Sequence, residues 1–441
     1  MTRLLKNHFV SCALLVSLAA VQAHELAAPT QVSTVPLRNS LKDQLSPYLP
    51  NEISVKESLL SSPLIHVARS KKDAGLERAK GIEAGTAEFI LRSTSQLRRE
   101  VNTGTQLPEL MVSIEHPIRT WGKRSMDASL AKETQAFADI EYEDAMHEGA
   151  RELMRLWFAY LRALTDQRNA NTTYDLALRM QRLTDVQLQV GEISQLNAEL
   201  THAELERISA SRFVADAQLA SFASAFTRRF PSMSLPLDIP AGLSLNSSPR
   251  LPTLSEPMDA MREEYLKKNH ELNMMRLDAR RLHLAADRAM LERLPDPTFG
   301  LFMGRERGGA ETISGVMFSI PLPGDSRLYH ANSLVADAQA ASDKVLLAEQ
   351  QLGSNFEAMW IQFQHKRKAA EDLKSAAQRQ AFVLDKSIKA YSLGESSLSD
   401  VLMIARMASD NLNASERMHL EVVELLALIR LDMHQIWDFD E

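Results

Sequence analysis

The sequence predicts a mainly α-helical chain with two strand hairpins, built as an internal duplication, and three observations carry that reading. Gly-Glu-x-Ser-x-x-(Asn/Asp) is written twice, as "VGEISQLN" around Gly191 and "LGESSLSD" around Gly394. Each copy ends a very long stretch of helical pattern. Strict alternation of apolar and polar residues is confined to two short regions, one ahead of each long stretch.

The duplication follows from register. Gly191 and Gly394 lie 203 residues apart, and the same offset pairs Trp157 with Trp360, Arg124 with Arg327, Ser194 with Ser397 and Asn197 with Asp400. Tryptophan occurs 4 times in the chain, so a Trp pair at this offset carries weight. The implied unit of about two hundred residues is far longer than a solenoid repeat. Repeat one spans 51–230, a Pro-rich insert 231–257, and repeat two 258–441.

The chain opens with "MTRLLKNHFVSCALLVSLAAVQA": a basic start at Arg3 and Lys6, an apolar run from Phe9 to Ala20, and small residues at Val21 and Ala23. This pattern predicts a secretory signal over 1–23, cleaved before His24, followed by an N-terminal extension over 24–50. The apolar run is short for a membrane-spanning helix. Cys12, the single cysteine, lies inside that run rather than after it, so lipidation is not expected and the mature chain has no disulfide.

With 441 residues, 45% hydrophobic, the chain can bury a core. Without Arg3 and Lys6, 48 basic residues face 57 acidic ones. That balance argues against a nucleic-acid partner.

The strand regions come next. In 86–117, Ala87, Phe89, Leu91 and Leu97 alternate with Glu88, Arg92, Thr94, Gln96 and Arg98, with Ile90 the exception. The return strand sets Leu110, Val112 and Ile114 against Glu109, Ser113 and Glu115. In 297–323, Phe299, Leu301 and Met303 alternate with Thr298, Gly300 and Gly304, and Val316, Phe318 and Ile320 with Gly315 and Ser319. Period-two alternation is the strand signature. Alternation alone leaves open whether the apolar face meets a soluble core or something else.

Pro117 and Gly191 are 74 residues apart, and Pro321 and Gly394 are 73 apart; beyond Pro117 and Pro323 no proline intervenes before either glycine. Helices of that length reach about 100 Å and supercoil with neighbours. Return helices are expected from about Ser194 to Thr227 and again after Gly394. Single leading helices are expected from about Ile53 to Glu83 and from Met258 to Leu294.

Taken together, "SSPLI", the duplicated hairpins, the two Gly-Glu turns and the 203-residue repeat resemble the TolC-like outer-membrane efflux proteins over nearly the whole mature chain. "YSLGESSLSDVL" matches that family's Tyr-x-x-Gly-x-x-x-x-x-Asp-x-Leu pattern. "LPDPTFGLFMG" and "GVMFSIPLPGDSR" look more like its heavy-metal division than its drug division.

The resemblance implies a homotrimer in the outer membrane, reaching into the periplasm. Four strands per chain would make a twelve-stranded transmembrane barrel, continued by an α-helical barrel. The implied partners are a periplasmic adaptor, an inner-membrane pump of the RND type and outer-membrane lipid.

For individual residues, the resemblance makes Gly191, Glu192, Gly394 and Glu395 tip turns that receive the adaptor; read alone, they are helix caps and solvated turn residues. Asp400, Asn197 and Tyr391 would lie at the periplasmic entrance, with Asp400 forming an acidic ring and Tyr391 bonding across helices to hold the entrance shut. Ser396 and Met403 stand where relatives often carry an Arg or a further acid, which weakens any expectation of a salt-bridged latch.

No enzyme is expected. There is no His-Glu-x-x-His and no Gly-rich phosphate loop, and the histidines are scattered along the chain, so neither a metal site nor a cofactor is predicted. Two rivals remain: a periplasmic adaptor, which normally has one helical hairpin flanked by β domains, and an exported coiled-coil scaffold without a channel.

Overall fold

The computed structural model describes residues 44–439 apart from 244–250, 255 and 323. The signal sequence over 1–23, with Cys12, lies outside the described residues, as does part of the Pro-rich insert.

Helix α1 (Glu52–Leu60) starts where the Asn51 side chain accepts a hydrogen bond from the Ile53 N–H. It ends at Ser61, and α2 (Pro63–Ala84) begins at once, capped by Ser62. Proline suits the first helical position because its missing N–H would have no partner there, yet it cannot continue the preceding helix. The same break occurs later. Helices α5 (Met258–Lys268) and α6 (His270–Glu292) are separated by Asn269, which leaves the helical region at φ −61°, ψ 120° and caps α6 through the Leu272 N–H. The single helices expected over 53–83 and 258–294 are thus each two helices. A cap residue inside a helical pattern outweighs its periodicity.

Strands β1 (Ile90–Arg99) and β2 (Gln106–Pro117) form a hairpin, as do β3 (Thr298–Glu306) and β4 (Glu311–Ser319). All pairings are antiparallel in the order β1-β2-β3-β4, so β2 and β3 join the two hairpins into one sheet. Helices α3 (Lys123–Gln189, 67 residues) and α7 (Asp325–Ser392, 68 residues) lead away from the sheet. Each is about 100 Å long. Helices α4 (Gln195–Arg229) and α8 (Leu398–Asp432) fold back on them.

Burial along these helices repeats every seven residues. On α8 it takes Val401, Ala408, Ser415, Val422 and Ile429; on α7 it takes Phe356, Phe363, Ala370 and Ala377. A seven-residue period keeps one seam turned toward the partner helix, and the alanines in it let backbones approach closely. Gly75 on α2 shows such a close approach: a Cβ there would stand 2.4 Å from the Ala138 Cβ of α3.

The main core lies part way along the rod. Leu59, Ile65, Leu153, Phe158, Phe226, Phe356 and Leu426 are buried there together; Phe230 joins them from the end of α4, and Met233 and Leu243 from the insert. Trp157 donates its indole N–H to the Tyr48 carbonyl at 2.8 Å. His419 is buried in the same region, its Nε2 2.8 Å from the Tyr48 hydroxyl. Burial, with the charge of Lys374 adding, lowers its pKa from 6.5 to about 4.

A depressed histidine pKa means that the unfolded chain takes up a proton the folded chain resists. The associated stability is complete above the unfolded value of about 6.5 and is lost as pH falls toward 4, by an amount on the order of 3 kcal/mol. Melting the protein at about pH 7 and at about pH 4.5 checks this. His419→Gln should lose less stability over that interval than the wild type, and an equal loss would sink the assignment.

Candidate functional site

The sheet has two faces of opposite character. Leu91, Ile114, Leu301 and Val316 stand in one cross-strand row. They are 73%, 46%, 62% and 80% exposed. One step along the strands lies a ring-bearing row: Phe89 stacks on His116 at 4.2 Å between centroids, and Phe299 meets Phe318 at 5.1 Å.

The other face is polar and partly buried. Glu109 accepts from Arg98 Nε at 2.5 Å and from Gln96 Nε2 at 2.8 Å, Arg98 reaches Glu306 at 3.0 Å, and Arg92 lies 3.4 Å from Glu115. Phe302 also lies on this face, its ring over Gly315, where a Cβ would come within 2.7 Å of it. An exposed apolar face opposite a charged, partly buried one is the reverse of a soluble sheet lying on a core. The described sheet also ends in two unpaired edges, β1 and β4.

At the opposite end, both Gly-Glu turns are built by the same bonds. Gly191 and Gly394 take the left-handed conformation, φ 76° and 77°. The Gly191 N–H reaches the Leu188 carbonyl and the Glu192 N–H the Gln187 carbonyl; Gly394 and Glu395 repeat this with Tyr391 and Ala390. This closure satisfies the last carbonyls of a helix and needs a residue without a Cβ penalty. Ser194 and Ser397 then cap the return helices, accepting from the Asn197 and Asp400 N–H at 3.4 and 3.1 Å. The two serines of the duplicated motif therefore have a local cause as helix caps, while the bonds from positions 197 and 400 use only their backbone N–H groups.

The structure brings Tyr391 to the first hairpin. Its hydroxyl donates to Gln187 Oε1 at 2.8 Å, and its ring packs with Met180, Leu398 and Val401. Burial, and secondarily the Glu192 carboxylate, push its pKa up, so it remains a donor. Asp400 is exposed and Asn197 half-buried, and Glu192 and Glu395 are exposed.

Sequence reasoning missed Gln187, and it also missed Val190 and Leu393, which precede the two glycines and are 64% and 65% exposed. Their equal offset from the glycines was the available signal. A polar row joins α3 to α8 above the turns. Arg417 pairs with Asp166 at 2.7 Å, Asn169 donates to Glu416 and Asn413 at 2.6 and 2.8 Å, Thr173 meets Ser409 at 3.0 Å, and Arg162 pairs with Glu424. Burial pushes the Glu416 carboxyl up, opposed by the Asn169 amide.

The expectation of scattered histidines is corrected: His147, His270 and His434 converge, with a ring nitrogen of each within 4.8 Å of the others. Folding joins positions that no spacing rule connects.

No described helix is long and apolar enough to cross a membrane. No family model matches the sequence, and no curated protein matches it. Solved structures do. The fold is that of outer-membrane channels. The outer membrane protein VceC of Vibrio cholerae aligns with a TM-score of 0.71 at 14% identity, over 86% of this chain and 95% of VceC. The Campylobacter jejuni CmeC outer membrane channel aligns at 0.68 and 14%, over 90% and 88%. CusC, described as forming a transmembrane channel, aligns at 0.70 and 11%, over 89% and 91%.

Proposed function

We propose that the chain is the outer-membrane exit channel of a tripartite efflux system, a passive duct rather than an enzyme. Three copies would close the sheet into a twelve-stranded barrel, with the helices reaching into the periplasm. The observation that supports this is the sheet with its apolar face exposed, its charged face partly buried and both described edges unpaired. In lipid every backbone group must find a partner, so such a sheet is stable only when closed by neighbouring copies. Matching bonds at both Gly-Glu turns support the duplication at an offset of 203.

The adaptor would dock at the turns of Gly191, Glu192, Gly394 and Glu395, where exposed Val190 and Leu393 offer apolar contacts, and an inner-membrane pump of the RND type would supply cargo. Cargo of heavy-metal cations rests on the resemblance of "LPDPTFGLFMG" and "GVMFSIPLPGDSR" alone. Deletion should then sensitise cells to metal cations but not to drugs.

Crosslinking in detergent should stop at three chains, and planar bilayers should show discrete conductance. A folded, water-soluble monomer would overturn the proposal and leave the scaffold rival standing. In the same bilayers, Tyr391→Phe removes a hydrogen bond of about 1 kcal/mol, so conductance should rise. Asp400→Asn reduces negative potential at the entrance, so cation preference should fall. If neither quantity moves, Tyr391 and Asp400 do not form the gate.

A further inference from the structure

We propose that His147, His270 and His434 form a structural binding site for a divalent transition-metal cation of the zinc type. The site ties the end of α8 to α3 and to the start of α6, and it does not depend on the channel reading. The three residues come from three separate elements, yet one nitrogen of each lies within 4.8 Å of the others. Three imidazoles around a tetrahedral zinc place their nitrogens about 3.3 Å apart, so small ring movements would complete the site. Imidazole is a favoured ligand for such cations.

Two further observations point to a ligand. First, carboxylates already orient two of the rings: His147 Nε2 lies 3.2 Å from Asp432 Oδ1, and His434 Nδ1 lies 3.4 Å from Asp438 Oδ1. Histidines that bind metals are commonly held this way, by a carboxylate behind the ring. Asp432 is itself buried, and its Oδ2 has no hydrogen-bond partner.

Second, His434 has a left-handed backbone, φ 55°. Its N–H reaches the Leu431 carbonyl and that of Gln435 the Arg430 carbonyl, the same closure as at Gly191 and Gly394. Glycine would take this position without strain. A histidine held there against its backbone preference suggests that the ring serves a purpose.

Untagged full-length protein in detergent, stripped with a chelator, should bind one Zn2+ per chain by calorimetry and melt at a higher temperature with Zn2+ than without. His434→Gly relieves the backbone strain and should fold, yet lose both the calorimetric signal and the zinc-dependent shift. His147→Gln should do the same, which guards against a folding defect in the first variant. Asp432→Asn should weaken binding by about 10- to 100-fold. Absence of saturable binding in the wild type, or equal binding in His434→Gly and His147→Gln, would overturn the site; the three rings would then be packing groups only.

Discussion

Leu301→Arg is expected to prevent stable insertion, leaving chains that neither reach the outer-membrane fraction nor crosslink as trimers. Leu301 sits on an inner strand of the sheet, in the row with Leu91, Ile114 and Val316, and among the described residues no other element covers that row. If the row faces lipid, an arginine near mid-membrane costs about 2–4 kcal/mol per chain, and every chain of an assembly bears that cost. Thr94→Arg, on the face already carrying Arg92 and Arg98, should insert normally. Were Leu301→Arg to assemble like the wild type, the exposed row would not be a lipid surface and the barrel reading would fail.

Phe158→Ala should lower stability by about 3–5 kcal/mol, because it removes a fully buried ring and leaves a cavity. Phe158 is packed in the core with Leu59, Ile65 and Phe226. Ile361 lies 203 residues further on and is 49% exposed, so Ile361→Ala should cost well under half as much. Denaturant melts in detergent compare the two directly. Equal losses would mean that burial does not differ between these positions as described.

The hairpins were legible because alternation is a local signal, and each predicted strand face holds together in the sheet. Their sense was not legible: Leu301 and Val316 alternate the same way whether the apolar face meets a core or lipid. The turn at Gly191 could be read from its duplicate at Gly394, since a left-handed helix end restricts the residue there. The helix breaks were missed although Ser62-Pro63 is a readable start signal, because helical periodicity continues across it. Asn269 likewise looks like a polar face residue until its cap is seen. The His147, His270 and His434 group was illegible for a different reason, since only tertiary packing relates three histidines on three elements.

The polar row between α3 and α8 makes the rod unequal in its cohesion. Within each hairpin the seam is alanine and larger apolar residues, and parting it would expose oily surface to water. Between the hairpins, Asp166 with Arg417, Asn169 with Asn413 and Glu416, and Thr173 with Ser409 can trade each other for water, at a net cost of only about 0.5–1.5 kcal/mol per bond. Between the main core, which both halves share, and the Tyr391 packing near the turns, the molecule therefore carries a fault line of its own: a stretch where the two hairpins meet through a hydrophilic weld that water can replace.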